Sequence, residues 1–301
     1  MMSEAYHIIS DGSCDLAEAL AKEKDITVVP FYVSFDDEHY LKEGVEIGIR
    51  DFYQQMVERK GVYPKSSMPS AQDYVEAFLP YAKEGIPVIC ICITTKFSGS
   101  MQSALNAKSI VLEEYPDAEI TVIDSCINTV LQGLYVLEAA ALRDSGMSYA
   151  DTVKRLEEIK STGRIFFTVG DMEYLKHGGR IGKVTAVAGS VLGIRPVITL
   201  KEGEIFPSGI GRGRKRTTEK SLELLLEYLA EGLNPECYSI AIGYGYDYEE
   251  AEAFRSHTLA TLQAKGIDIK ELPIFQIGAT ISVHTGPYPL GFGIIEKGIH
   301  Q

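Results

Sequence analysis

Three short segments of the 301-residue sequence concentrate side chains that could hold a small anion. Lys65-Ser66-Ser67-Met68-Pro69-Ser70 is a hydroxyl-rich loop ahead of a helical pattern. Thr94-Thr95-Lys96-Phe97-Ser98-Gly99-Ser100 follows an apolar run and opens another helix. The start of a helix there offers free N–H groups and the positive end of the dipole. His284-Thr285-Gly286-Pro287 lies in an expected loop before the last strand and adds an imidazole. Hydroxyl and imidazole donors suit an anion. Taken singly, each segment also reads as a cap or a turn. Asp11 and Asp15, just past the first strand, either hold a metal or cap a turn or helix. Other chemistries lack their signatures. There is no GxxxxGK[ST], no GxGxxG between strand and helix, and no HExxH. The six histidines show no zinc-ligand spacing, and FSGS around Ser98 is not the GxSxG of a hydrolase elbow.

The elements that must position these segments follow from hydrophobic periodicity. Up to about residue 165 strands alternate with helices: strands at Tyr6–Ser10, Val28–Phe35, Ile86–Ile93 and Glu119–Ile123, helices at Ile47–Lys60, from Ser70, Gly99–Glu114, Asn128–Ser145 and from Ser148 to Lys160. Ile86–Ile93 (IPVICICI) is apolar on both faces, as a central parallel strand should be. Strands alternating with helices of this length predict βαβ units and a parallel sheet, whose ligands bind beyond the carboxyl ends of the strands. The pattern then changes. A strand at Arg164–Val169, the glycine-rich Lys176–Gly182, and a hairpin over Pro196–Pro207 turning at Lys201-Glu202-Gly203 come next. Helices at Thr218–Glu231 and Glu249–Lys265 alternate with strands at Tyr238–Gly243, Leu272–Ile277 and Leu290–Ile295. This predicts an α/β protein of two domains, 1–163 with a parallel sheet and 164–301 with a mixed sheet.

Composition bounds the function. At 45% hydrophobic and 24% charged the chain builds a packed interior, which excludes disorder. Its 29 Lys+Arg against 42 Asp+Glu give a net charge of −13. Such a body is repelled by phosphate backbones and anionic leaflets, so neither nucleic-acid binding nor a broad membrane face is expected. Arg212, Arg214, Lys215 and Arg216 reverse that charge locally. They suit docking of an acidic partner or a phosphate, and equally read as a solvated loop ahead of a helix. The patch limits any membrane contact to a transient one. Cys90 and Cys92 lie in the apolar run and read as small buried hydrophobes rather than metal or redox groups. No secretory signal and no membrane-spanning run is evident, so a cytoplasmic location is expected.

In order along the chain stand SDGSCDL, PKSSMPS, TTKFSGSMQSA, GDMEYLKHGGRIG, the Arg195-Pro196 of Gly193–Val197, and HTGP. Together these segments resemble the DegV family of bacterial proteins, which includes the fatty-acid-binding subunits of fatty acid kinase. The resemblance implies a two-domain α/β fold with a fatty acid buried between the domains. It implies that Ser66, Ser98 and His284 hold the ligand carboxylate, with Ser67 and Thr95 as supporting donors. The family more often has Thr where this chain has Ser66, and usually Gly-Ala where it has Tyr288-Pro289. The implied role is to present the fatty acid to a separate ATP-dependent kinase subunit that forms the acyl phosphate, without catalysis by this chain alone and without a cofactor. Burying a sixteen-carbon tail contributes on the order of 10 kcal/mol before entropy losses, which offsets the cost of taking a hydrogen-bonded carboxylate out of water. Two alternatives remain: an acyl hydrolase using Ser98 as nucleophile and His284 as base, or a binder of small polyols related to dihydroxyacetone kinase. Arg180 in the GGRI segment is a further candidate, for a partner or for a structural ion pair.

Overall fold

A computed structural model describes residues 6–186 and 194–299. Met1–Ala5, at the segment read for a signal, and Gly193, at the start of the Arg-Pro segment, lie outside the described residues. The chain opens with β1 (His7–Asp11), α1 (Glu18–Glu23) and β2 (Ile26–Val29). Next come β3 (Tyr32–Ser34), β4 (Leu41–Lys42), α2 (Ile49–Glu58) and β5 (Lys65–Ser67). Then follow α3 (Ala71–Glu84), β6 (Val88–Cys92), α4 (Ser100–Glu114), β7 (Ile120–Asp124), α5 (Thr129–Asp144) and α6 (Tyr149–Ile159). Strands β2-β1-β6-β7 form a four-stranded, wholly parallel sheet with β6 inside it. All five residues of β6 are buried, as its two-sided apolar run predicts. Ser70 caps α3 in a reciprocal box with Asp73, and Ser148 caps α6 by accepting from the Asp151 N–H.

Beyond residue 163 stand β8 (Arg164–Thr168), α7 (Glu173–His177), β9 (Ile194–Lys201) and β10 (Glu204–Arg212). The chain closes with α8 (Arg214–Leu229), β11 (Tyr238–Tyr244), α9 (Tyr248–Ala264), β12 (Ile274–Gln276), α10 (Ala279–Thr285) and β13 (Leu290–Glu296). The six-stranded sheet runs β10-β9-β8-β13-β11-β12, antiparallel except for β11 with β12. Its β9–β10 hairpin turns through Glu202 and Gly203, both at positive φ (51° and 82°), the geometry of a two-residue primed turn. Helix α5 is buried over most of its length, packing on the 3-10 turn after β1 and on β11 and β13. It thereby joins the core of the parallel sheet to that of the mixed one.

Four expectations need correction. Val28–Phe35 is not one strand: Pro30, which lacks an N–H, separates β2 from β3, and β3 joins a third sheet, β4-β3-β5. The segment containing Ser66 is an edge strand of that sheet rather than a loop. His284 lies on α10, framed by Gly278 before it and Gly286 at φ 74° after it, instead of in a loop. The basic run is no loop either, since β10 extends to Arg212 and α8 begins at Arg214.

Candidate functional site

Asp11 organises the ends of the elements that deliver Ser98. Its Oδ2 accepts from the Ile93 N–H at 2.9 Å and from Ser100 Oγ at 2.8 Å, and its Oδ1 accepts from Gln132 Nε2 at 2.8 Å. One buried carboxyl thus ties β1 to the exit of β6, the start of α4 and the first turn of α5. Burial raises its pKa while the donors around it act in the opposite sense. Asp15 is also buried, at φ 52°, and accepts from the Thr129 hydroxyl. Burial foremost, and then the neighbouring Glu43 carboxylate, push its pKa well above the ordinary range.

The register Val33↔Ser66 puts Ser66 at the centre of edge strand β5, and α10 brings His284 to it from the other end of the chain. Ser66 Oγ lies 3.5 Å from His284 Nε2. The imidazole packs on the backbone of Gly178, where a Cβ would overlap Nδ1. Nδ1 is buried without a hydrogen-bond partner among the described residues. An imidazolium would therefore leave a buried N–H unpaired. Burial foremost, aided by the positive charge of Arg180, holds the His284 pKa down to about 4. Arg180 itself donates to the Phe97 carbonyl from Nε (3.1 Å) and Nη2 (2.8 Å), and to the Gly178 carbonyl from Nη1 (2.8 Å). Its hydrogen-bond partners among the described residues are carbonyls rather than the acid expected of a structural ion pair, and they clamp the Ser98 turn to the turn beneath His284. Ser98 Oγ accepts from the Ser100 N–H at 3.2 Å.

Ser66, Ser67, Ser98, Arg180 and His284 all line one cavity of about 280 Å³, near the lower end of the roughly 300–1,000 Å³ usual for small-ligand pockets. The rest of its wall is largely apolar. Phe167, Leu200, Ile205 and Phe292 come from the six-stranded sheet, and Ile93, Val130 and Ile281 belong to a separate buried cluster. The cavity therefore lies where the two halves of the chain meet.

Thr95 does not belong to this wall: it is exposed, and its hydroxyl donates to Asp124 at 2.6 Å. Arg214 is committed as well. Its Nε and Nη2 donate to Glu250 at 2.6 and 2.7 Å, and its Nη1 to the Tyr288 carbonyl at 2.8 Å. Arg212 and Lys215 are exposed. Of Tyr288-Pro289, the proline lines the cavity while the tyrosine packs on Gly170 and edge-on to Tyr246. The sequence reading missed Gly178 and Glu43, and left the apolar wall unnamed because wall and core residues are alike in type. The Gly-Gly of KHGGRIG was the available signal for a close backbone approach.

A measurable consequence is the charge state of His284. Its pKa of about 4 lies below the roughly 6.5 of a free imidazole. The unfolded chain then takes the proton first, so this residue's contribution to stability is lost as pH falls from about 6.5 to about 4. NMR titration of the ligand-free ring is expected to give a midpoint near 4. A midpoint at the free value would contradict the buried, unpaired Nδ1. A carboxylate bound at Nε2 should raise the midpoint.

Fold and cavity together define an α/β protein with a mostly apolar hollow into which a few polar groups converge, the make-up usual for small-molecule sites. A family model described as an uncharacterised protein of the DegV family matches residues 5–297. A DegV domain-containing protein of Clostridium perfringens is 32% identical over 284 residues, covering 93% of this chain and 94% of that one. Among solved structures, a stearic-acid-binding protein from Eubacterium ventriosum is 44% identical with a TM-score of 0.92, covering 97% of this chain and 99% of its own. A fatty-acid-binding DegV family protein from Thermus thermophilus is 30% identical with a TM-score of 0.86, at 97% and 99% coverage. The chain belongs to the DegV family.

Proposed function

We propose that this protein binds a long-chain fatty acid in the cavity and presents its carboxylate to a separate ATP-dependent kinase subunit, with domain 1–163 supplying the anion-binding segments and domain 164–301 covering the ligand. The observation that carries the reading is the Ser66–His284 pair, 3.5 Å apart in the polar lining of a largely apolar cavity. A neutral imidazole with its proton on Nε2 donates to an anion, as do the hydroxyls of Ser66 and Ser98. Ser67 supports them from the same wall. Fatty-acid binding by the similar Eubacterium ventriosum and Thermus thermophilus proteins supports the ligand class. The kinase step is inferred from the family resemblance and from the lack of a phosphate-binding loop motif in the sequence. Arg212 and Lys215, exposed beside the committed Arg214, are the cations proposed to meet that partner.

The hydrolase alternative finds less support. His284 is hydrogen-bonded to Ser66 rather than to Ser98, and among the described residues no carboxylate orients its Nδ1. Mass spectrometry of the denatured protein is expected to find an acyl chain at near-stoichiometric amount, and its absence would overturn the binding reading. Ser66→Ala and Ser98→Ala are each expected to weaken fatty-acid binding about ten-fold, the worth of one hydrogen bond to a charged group.

A further inference from the structure

Helix α10 has seven residues, too few to be stable by itself, so its position depends on what holds its ends. Its N-cap is Gly278, whose lack of a side chain leaves the first N–H groups of the helix without a local acceptor. The acceptor comes instead from Glu43. One carboxylate oxygen accepts from the Ala279 N–H; the other accepts from the Thr280 N–H at 3.1 Å and from the Thr280 hydroxyl. Glu43 is buried, and its own N–H donates to the Phe31 carbonyl at 3.0 Å. Gly278 is needed for this approach, because a Cβ there would collide with Glu43 Oε1 and stand 2.6 Å from Asp15 Oδ1.

Glu43 directly follows β4, and Ser66 is on β5, so both ride on the sheet β4-β3-β5. The grip on Thr280 is one helical turn, about 6 Å, from His284. The Ser66–His284 distance is therefore set through a loop of contacts: sheet to Glu43, Glu43 to helix, helix to imidazole. We infer that Glu43 is a positioning residue, whose grip on the first turn of α10 holds His284 in register with Ser66 for carboxylate recognition. The inference rests on the fatty-acid reading for its ligand, though not for its geometry.

Glu43→Gln separates positioning from packing, since it keeps the shape but sets an amide NH₂ against one of the donors. Dodecanoate and 1-dodecanol share a tail and differ in the group that His284 would meet. Affinities measured by displacement of a fluorescent acyl probe are expected to drop at least ten-fold for dodecanoate in Glu43→Gln and to change less than two-fold for dodecanol. The NMR midpoint of the His284 ring should also move up from about 4 toward the free value. An unchanged acid-to-alcohol ratio with an unchanged His284 midpoint would overturn the inference. Failure of the parent protein to bind both dodecanoate and hexadecanoate would instead overturn the ligand reading, and the ring midpoint would still test the grip. Should Glu43→Gln not fold, Thr280→Val removes a single bond of the grip, and its His284 midpoint must shift in the same direction or the inference fails.

Discussion

Gly178→Ala is expected to remove the proposed carboxylate anchor, His284, while leaving the fold intact. Gly178 is not required for backbone reasons, since its φ of −73° and ψ of −9° suit alanine. What the glycine provides is room: a Cβ would stand far inside van der Waals contact with His284 Nδ1. The ring would have to leave, and with it the donor opposite Ser66. Losing a hydrogen bond to a charged group costs about 1.5–3 kcal/mol, or ten- to hundred-fold in fatty-acid affinity. The effect should match that of His284→Ala, and the double variant should add little, because both remove one interaction. A Gly178→Ala protein that retained parental affinity would mean that the imidazole does not touch the ligand.

The largest effect on stability is expected at Asp11. Asp11→Ala would leave the Ile93 N–H and one of the two Gln132 amide hydrogens without their buried acceptor, while the Ser100 hydroxyl keeps Tyr74 Oη at 2.6 Å and Gln132 keeps Ser10 at 3.1 Å. Unsatisfied buried donors cost about 1–3 kcal/mol each, though not additively, so a loss of about 3–5 kcal/mol is expected. In a chain of this length that corresponds to a fall in Tm on the order of 10 °C. Asp11→Asn keeps one carbonyl acceptor and should lose distinctly less. Denaturant unfolding of the pair tests the assignment, and equal losses in the two variants would contradict it.

Much of this architecture is legible in the sequence. The apolar β6, the Ser70–Asp73 and Ser148 caps and the Glu202-Gly203 turn each leave a local signature, and each stands within a residue or two of its expected place. The residues Ser66, Ser98 and His284 are legible only as an ordered set of segments, through family resemblance. Their elements were misread because an edge strand of three residues and a helix of seven carry little periodicity. Such short elements are specified by tertiary contacts. The Glu43 grip on α10 spans 236 residues of sequence, and no local pattern announces it. The basic run shows the converse: Arg214 looks free in sequence because its acceptor, Glu250, lies on another helix.

The burial of α5 constrains how a ligand can be exchanged. Eleven of its sixteen residues are buried, Leu131, Tyr135 and Val136 completely, and it packs on both halves of the chain. Swinging those halves apart like a book would strip water-free contacts from this spine. Each large apolar side chain exposed would cost about 1.5–3 kcal/mol, and a handful would equal the stability of a typical domain. Were a ligand held in the cavity, it would have to pass through a small local breach in the wall, at a rate set by local opening rather than global unfolding.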